Sequence, residues 1–544
     1  MNTYNVDRFK EIFDENFTYI AGFLRNVDKF PDKTALIDTD HDRTWTYKEL
    51  NLEANRFAHA LRQDGVGEAQ VVMYQLMNTP EFAFVYLGCQ KIGAINSPIN
   101  FRLFSGEIAY TIDDSKPAVF LFDISVKDNV AEALKLSKHK PQKLIYVGEG
   151  DCDFAVPYAS YVKDQPADEP MKPPQKAFSE VTRLYTSGTT GRPQGVPLNN
   201  VNEVLNALDV IINLGLSKND VLLNLSPWFH RGGLHIGGPN PGLYLGAAIA
   251  SMRLFYPKSA IRTIEKYKVS FIIGVPTMYA LMLNEQKANP YNLGSLKGIV
   301  SMGAPLDRLL CIELQQNFTP NIFNGYGTTE TFWNTLLIPE DLPRMAGKAG
   351  RAVPFDEVRV VKAYEDRLAR PDEVVRRDNE EVGEVIIKTL KSSYDYYNKP
   401  DYTGKKISGD WFYSGDLATW DEGGYITIVS RKDDMLIAGG ENIYPIQIEE
   451  VVQEHPKVLY CAVVGLPDKV RGKAIVAYVV KKDETLTLDE LKKFIAKHPM
   501  LPPYKRPRYW RFVEAIPMTA TGKKQHYKLR QQVAEDFAKG LLLR

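Results

Sequence analysis

At 544 residues the chain is too long for one hydrophobic core and divides on length alone into roughly two to four structural units. A composition of 44% apolar and 25% charged residues without low-complexity tracts is that of a globular protein, which excludes the fibrous and disordered classes. Lys plus Arg equals Asp plus Glu at 67 each, so the chain has no basic field for nucleic acid, and pairs such as Lys505 and Arg506 do not supply one.

The start, MNTYNVDRFKEIFDEN, is too polar for a signal peptide. TYKELNLEANRFAHALRQDGV predicts a helix with Thr46 and Glu49 in capping-box spacing. Leu50, Ala54, Phe57, Ala58 and Leu61 recur along it at helical intervals, and Gly65 follows as its stop. QVVMYQL, PAVFLFD, KLIYVG, SFIIGVP and GIVSMGAP are short apolar runs of the kind that form buried parallel strands. Their alternation with helical patterns predicts an α/β architecture. The proline- and charge-rich stretch 163–177 reads as an exposed connector. The glycine-rich stretch 243–252 ends at Arg253, short of a membrane span. EVIIKTL and YITIV predict strands of a smaller sheet, and SRKDDMLIAGGENIYP reads as a junction. Beyond it a helix around 448–454, strands LYCAVVGL and KAIVAYVV and the capped helix of TLDELKKFIAKH make a small α+β unit. Cys89, Cys152, Cys311 and Cys461 lack metal or redox spacing and fit a reduced, cytoplasmic setting.

The stretch TRLYTSGTTGRPQGVPLNN (182–200) concentrates hydroxyls and glycines. Hydroxyl donors and turned backbone N–H groups suit phosphate oxygens, although no Gly-Lys-Ser/Thr of the Walker type follows. Read alone, such a run is equally a flexible linker. It does not stand alone. YTSGTTGRPQGV resembles the phosphate-binding loop of the adenylate-forming superfamily, which includes acyl-CoA synthetases, luciferases and peptide-synthetase adenylation domains. SPWFH (226–230), SMGAPL (301–306), NGYGTTET (324–331), the hinge-like 413–450 and PMTATGKKQHYKLR (517–530) resemble its further motifs, in order along the chain.

The resemblance implies a large N-terminal adenylation domain (1–432) of α/β subdomains plus a small β-barrel-like subdomain. A hinge joins it to a mobile α+β C-terminal domain (433–544). It implies an AMP-forming acid–CoA ligase using ATP, Mg²⁺ and coenzyme A. Lys523 would bridge the acid carboxylate and the α-phosphate, where two anions meet. Glu330 would hold Mg²⁺, a hard cation that takes oxygen ligands. Thr186, Ser187, Gly188, Thr189, Thr190 and Gly191, with Thr328 and Thr329, would hold phosphates. Tyr326 would stack on adenine beside Gly303, Ala304, Pro305, Asn324, Gly325 and Gly327. Asp416 would accept from the ribose hydroxyls, with Ile428 and Arg431 near it. Read singly, Lys523 is a solvated lysine beside Lys524, Tyr326 a core aromatic, and Arg431 a surface partner of Asp433 or Asp434. Asp433 matches the hinge position. Gly439, Gly440 and Glu441 would line the pantetheine tunnel, although a Gly-Gly pair also makes ordinary turns.

For the acid, His230, Arg231, Gly232, Val275, Trp333 and Asn334 are the pocket candidates, with a core histidine as the alternative reading of His230. Trp333 as a pocket floor favours an aromatic, alicyclic or medium-chain acid. Gln194 stands where most relatives carry Lys, and Asn200 where His is common. Loss of that cation predicts weaker hold on ATP or pyrophosphate. Transfer to a carrier-protein thiol or another acceptor, and a non-catalytic binding relative, are the alternative functions. No carrier sequence or Ser-Lys-Leu ending follows to Arg544. Oligomeric state is open, with a homodimer among the forms.

Overall fold

The computed structural model describes residues 5–171, 175–186, 193–364, 366–438, 441–468, 472–498, 501–518 and 524–544. The chain forms two compact units: Met1–Val358 with Ile387–Phe412, and Arg359–Ile386 with Tyr413–Arg544. The α/β class expected from the sequence is the class observed, with two large sheets, a five-stranded half-barrel and a small α+β sheet.

The first unit holds a nine-stranded and a seven-stranded sheet. In the larger, Ile322–Thr328, Gly298–Met302, Phe271–Gly274, Val221–Asn224, Ala248–Ser251 and Thr34–Asp38 run parallel, side by side. Antiparallel Phe332–Leu337 closes onto Ile322–Thr328. In the second sheet, Val119–Asp123, Val71–Gln75 and Ile95–Pro98 are parallel, and Glu180–Thr186 pairs antiparallel with Gln194–Asn199. Val71–Gln75 is buried along its whole length, as the apolar run Val71–Tyr74 requires of a strand covered on both faces.

Helix Tyr47–Gln63 starts at the expected capping box: Thr46 accepts from Glu49 N, and Glu49 accepts from Thr46 N. Its stripe of Leu50, Ala54, Phe57, Ala58 and Leu61 is fully buried. Stretch 163–177 is exposed over most of its described residues, as expected of a connector, and is packed only at a few points. Gln175 and Ala177 are buried, and Glu169 accepts from Lys91 Nζ at 2.5 Å. Proline and charge forecast irregular backbone correctly; they say nothing about whether it is packed. Residues 172–174 lie outside the described set.

In the second unit Trp411–Trp420 pairs antiparallel with Ile426–Arg431, setting Asp416 opposite Arg431. Val458–Asp468 and Gly472–Lys481 form a long antiparallel pair, and Tyr509–Phe512 adds parallel to the latter. One face packs Ile448, Val452, Leu491 and Ile495 of helices Pro445–Gln453 and Leu488–Lys497 against Cys461, Val463 and Ala477. The other face packs Leu529 and Val533 of helix His526–Ala538 against Val464, Val476 and Tyr478. Among the described residues no helix is long and apolar enough to cross a membrane.

Candidate active site

Open parallel sheets present ligand-binding loops beyond the carboxyl ends of their strands, and the candidates of the first unit cluster there. Val275 follows Phe271–Gly274; Gly303, Ala304 and Pro305 follow Gly298–Met302; Asn324 to Thr328 end Ile322–Thr328. Gly303 has φ +81°, a turn conformation that a side chain would oppose. Gly327 is required by space, because a Cβ there would lie 1.8 Å from Phe332 O. Asn324 donates to Lys348 O at 3.0 Å, while its Oδ1 is buried without a hydrogen-bond partner, an acceptor available to a ligand amine. Tyr326, Thr328, Thr329 and Glu330 are half-buried.

Glu330 sits in the turn between Ile322–Thr328 and Phe332–Leu337. Thr328 Oγ1 holds this turn by accepting from Thr331 N at 3.2 Å. One Glu330 oxygen, Oε1, accepts from Tyr396 Oη at 2.6 Å. The neighbouring Tyr397 donates its backbone N–H to Gly195 O at 2.8 Å. The segment 394–398 thereby ties Glu330 to the hairpin of Glu180–Thr186 and Gln194–Asn199, which carries Thr186 and Gln194 as an opposed pair. Tyr394 and Asn398 flank it at φ +56° and +53°, left-handed conformations that cost about 1–3 kcal/mol each and collect at functional sites. A half-exposed carboxylate braced at one oxygen suits a hard cation that is otherwise held by water and phosphate. Among the described residues there is no multi-residue His/Cys/Asp/Glu cage, which Mg²⁺ does not need.

The acid-pocket candidates divide. His230 is half-buried, its ring 4.8 Å from that of Phe229. Val275 is buried as the residue capping helix Pro276–Ala288. Gly232 lies where a Cβ would meet Met302 Sδ at 2.5 Å, so the thioether fills the space of a side chain. Trp333 is 2% exposed, donates Nε1–H to Asp209 Oδ2 at 2.5 Å and stands 3.1 Å from the position of a Cβ on Gly325. Lys391 Nζ binds Asp209 at 2.6 Å, Asp356 at 3.0 Å and Trp333 O at 2.7 Å, all side chains fully buried. Asn334 is taken up in the same cluster through Asp356 Oδ2 at 2.8 Å. Burial pushes the Asp356 carboxyl up to about 6 against the pull of Lys391. Arg231 is buried too, with burial drawing its guanidinium down to about 10. Of the two anomalous positions, Gln194 is buried, and Asn200 donates to Gln175 Oε1 and Lys176 O at 3.0 Å each.

In the second unit Arg431 Nη1 meets Asp416 Oδ1 at 2.6 Å, so the ion-pair partner found for this arginine is Asp416. Ile428 stands half-buried on the same strand, opposite Ala418. Asp433 lies in the turn Lys432–Asp434, its carbonyl accepting from Arg530 Nη1 at 3.0 Å. Arg530 also pairs with the Asp434 carboxylate. Buried Glu449 receives Lys524 Nζ and His526 Nε2, both at 2.6 Å. Burial acts to raise the Glu449 carboxyl, but Lys524 and His526 outweigh it and hold it near 2. Ser187, Gly188, Thr189, Thr190, Gly191, Gly439, Gly440 and Lys523 lie outside the described residues, as does the side chain of Glu441. Tyr396, Asp209, Lys391 and Glu449 were not legible as site neighbours, since none belongs to a motif whose chemistry names it.

Residues 23–397 match the family of AMP-binding enzymes, and residues 447–523 the C-terminal domain of AMP-binding enzymes. The chain is 31% identical to the putative acyl-CoA synthetase YngI of Bacillus subtilis, over 94% of this chain and 96% of that protein. It is 32% identical to the feruloyl-CoA synthase of an Amycolatopsis species, over 88% and 92%. The structure of O-succinylbenzoate coenzyme A synthetase (MenE) of Bacillus subtilis, in complex with ATP and magnesium ion, superposes with a TM-score of 0.80. That pair is 25% identical, with 94% of this chain and 99% of that one covered. The chain therefore belongs to the AMP-binding enzyme family and, within it, to the AMP-forming acyl-CoA ligases.

Proposed function

We propose that this AMP-forming ligase activates a compact aromatic, alicyclic or medium-chain acid and passes it to coenzyme A. The observation that carries the substrate class is Trp333, whose indole donates to Asp209 beside Gly325 while Lys391 pairs with that carboxylate and holds the Trp333 carbonyl. A floor anchored by buried charge does not swing aside for a long acyl tail. Relatives named feruloyl-CoA synthase and O-succinylbenzoate coenzyme A synthetase favour the aromatic option, while one of like identity named long-chain-fatty-acid–CoA ligase leaves chain length to the assay.

In the first half-reaction a carboxylate oxygen of the acid attacks the α-phosphorus and the bond to the bridging oxygen breaks, giving acyl-AMP and pyrophosphate. Lys523 offsets the charge gathered where the two anions join. Thr186 and the residues 187–191 bind the triphosphate, and Glu330 would hold Mg²⁺, which neutralises the departing pyrophosphate when bound. Tyr326 stacks on adenine, and Asn324 Oδ1 accepts from its amino group. Asp416 takes the ribose hydroxyls by exchanging Arg431 for them, with Arg431 turning to phosphate. In the second half-reaction the thiol loses its proton, sulfur attacks the acyl carbonyl and AMP departs. Rotation about Asp433 brings Gly439, Gly440 and Glu441 to the pantetheine arm, with 1–432 and 433–544 as the two moving parts. The proposed setting is the cytoplasm.

The test is a product assay with benzoate, cyclohexanecarboxylate, phenylacetate, hexanoate and palmitate, each with ATP, Mg²⁺ and coenzyme A. AMP and acyl-CoA from one of the first four, with palmitate at least about tenfold poorer in kcat/KM, is the expected result. Palmitate as the preferred acid overturns the substrate class.

A further inference from the structure

Arg231 is 3% exposed, and its four acceptors are neutral oxygens. Nη1 donates to Thr329 O at 2.5 Å and to Glu330 O at 3.4 Å; Nη2 donates to Lys391 O at 2.7 Å and to Asn206 Oδ1 at 3.3 Å. Nε is buried with no hydrogen-bond partner. Burying a guanidinium whose hydrogen bonds all go to carbonyls is costly, and the charges of Glu203, Glu330 and Asp356 offset that burial only in part.

The fork spans about a hundred residues of sequence to reach the main chain of the turn that carries Glu330. That turn is itself under tension. Phe332 is a buried aromatic at φ +66°, a conformation that disfavours any residue with a Cβ. Its ring lies 5.6 Å from the Arg231 guanidinium carbon and 5.5 Å from Lys391 Nζ, within cation–π range of both. The two cations thus press on the ring that follows the turn while one of them holds the turn's carbonyls.

We propose that Arg231 is a positioning residue for the metal: by fixing the carbonyls of Thr329 and Glu330 it presents the Glu330 carboxylate in one geometry toward the Mg²⁺ of bound ATP. Tyr396 fixes the carboxylate end of the same residue, so backbone and side chain of Glu330 are set independently. Only a planar, five-donor fork spans both carbonyls at once; a lysine ammonium reaches fewer of them in a less defined direction. The inference rests on Glu330 as the magnesium ligand.

The experiment measures the affinity of a non-hydrolysable ATP analogue by calorimetry, with Mg²⁺ and with EDTA, for the wild type and for Arg231→Lys, Arg231→Met and Glu330→Gln. The metal-dependent gain in affinity is the readout, and thermal midpoints report folding. Arg231→Met is expected to cut that gain by about tenfold or more, the scale of lost outer-sphere support, with Arg231→Lys between it and wild type. Affinity in EDTA should stay within about twofold, because the fork touches no nucleotide-binding side chain. If Arg231→Met fails to fold, the same readout passes to Arg231→Lys, whose gain must fall by at least about threefold. An undiminished gain, or an equal loss with and without metal, overturns the clamp. If Glu330→Gln keeps the full gain, the magnesium reading of Glu330 fails, and the clamp falls with it; a gain lost in Glu330→Gln but kept in both Arg231 variants refutes the clamp alone.

Discussion

Tyr396 Oη donates to Glu330 Oε1 at 2.6 Å while the adjacent Tyr397 N–H donates to Gly195 O at 2.8 Å, so one tight segment braces the metal candidate and the candidate phosphate hairpin together. Removing the phenol oxygen leaves the packing of Tyr396 intact and frees one carboxylate oxygen. Tyr396→Phe should raise the Mg²⁺ concentration needed for half-maximal acid-dependent pyrophosphate exchange by about tenfold, the usual scale for support of a metal ligand. The exchange assay across a magnesium series checks it, and an unchanged midpoint removes Tyr396 from the account.

Lys391 neutralises Asp209 and Asp356 in a fully buried cluster that also holds Trp333. Lys391→Met removes the cation and strands both carboxylates, and such a loss costs about 3–5 kcal/mol. Denaturant unfolding should register it. Replacing Trp333 by Phe leaves the ion cluster whole and should shift acid preference more than stability.

Gln194 is buried across the hairpin from Thr186, close in sequence to the hydroxyl- and glycine-rich run. Gln194→Lys restores a cation there. Charge-assisted hydrogen bonds are about twice as strong as neutral ones, so ATP or pyrophosphate should bind several-fold more tightly. Equilibrium binding of both ligands is the check, and two unchanged affinities contradict the reading.

Glu449 binds Lys524 and His526 at 2.6 Å each, next to Lys523 in sequence. Its folded-state value near 2 lies below its ordinary 4.5, so its contribution to stability is present above about pH 4.5 and is lost as pH falls toward 2. Burial works against the His526 imidazolium, but Glu449 and Asp434 outweigh it and raise its value above 6.5. That contribution is present below pH 6.5 and fades as pH rises through the raised value. Together they predict greatest support between about pH 4.5 and 6.5. Glu449→Gln should lower stability in that window and flatten the acid limb of the unfolding profile; a parallel shift at every pH speaks against the ion cluster.

The sequence made the parallel strands, the Thr46–Glu49 capping box and the order of the motifs legible, because each is written in local periodicity or in residue types that one chemistry demands. Trp333 and Asn334 were named from the sequence as pocket candidates, but their partners in the structure were not legible. Asp209, Asp356 and Lys391 come from three distant stretches, and no period or spacing forecasts that they meet. Tyr396 was hidden for the same reason, in a segment whose left-handed Tyr394 and Asn398 carry no turn signature. Stretch 163–177 was legible as an exposed connector, but its buried Gln175 and Ala177 were not, because burial depends on what lies opposite.

The most direct test of the central claim separates the two half-reactions in Lys523→Ala. The protein is assayed for acyl-AMP formation from acid and ATP, and for acyl-CoA formation from synthetic acyl-AMP and coenzyme A. The account predicts that the first falls by about a thousandfold or more, as expected when the charge stabilising the adenylation transition state is removed, while the second stays within a few-fold. Equal losses in both, or adenylation that survives the substitution, would contradict it.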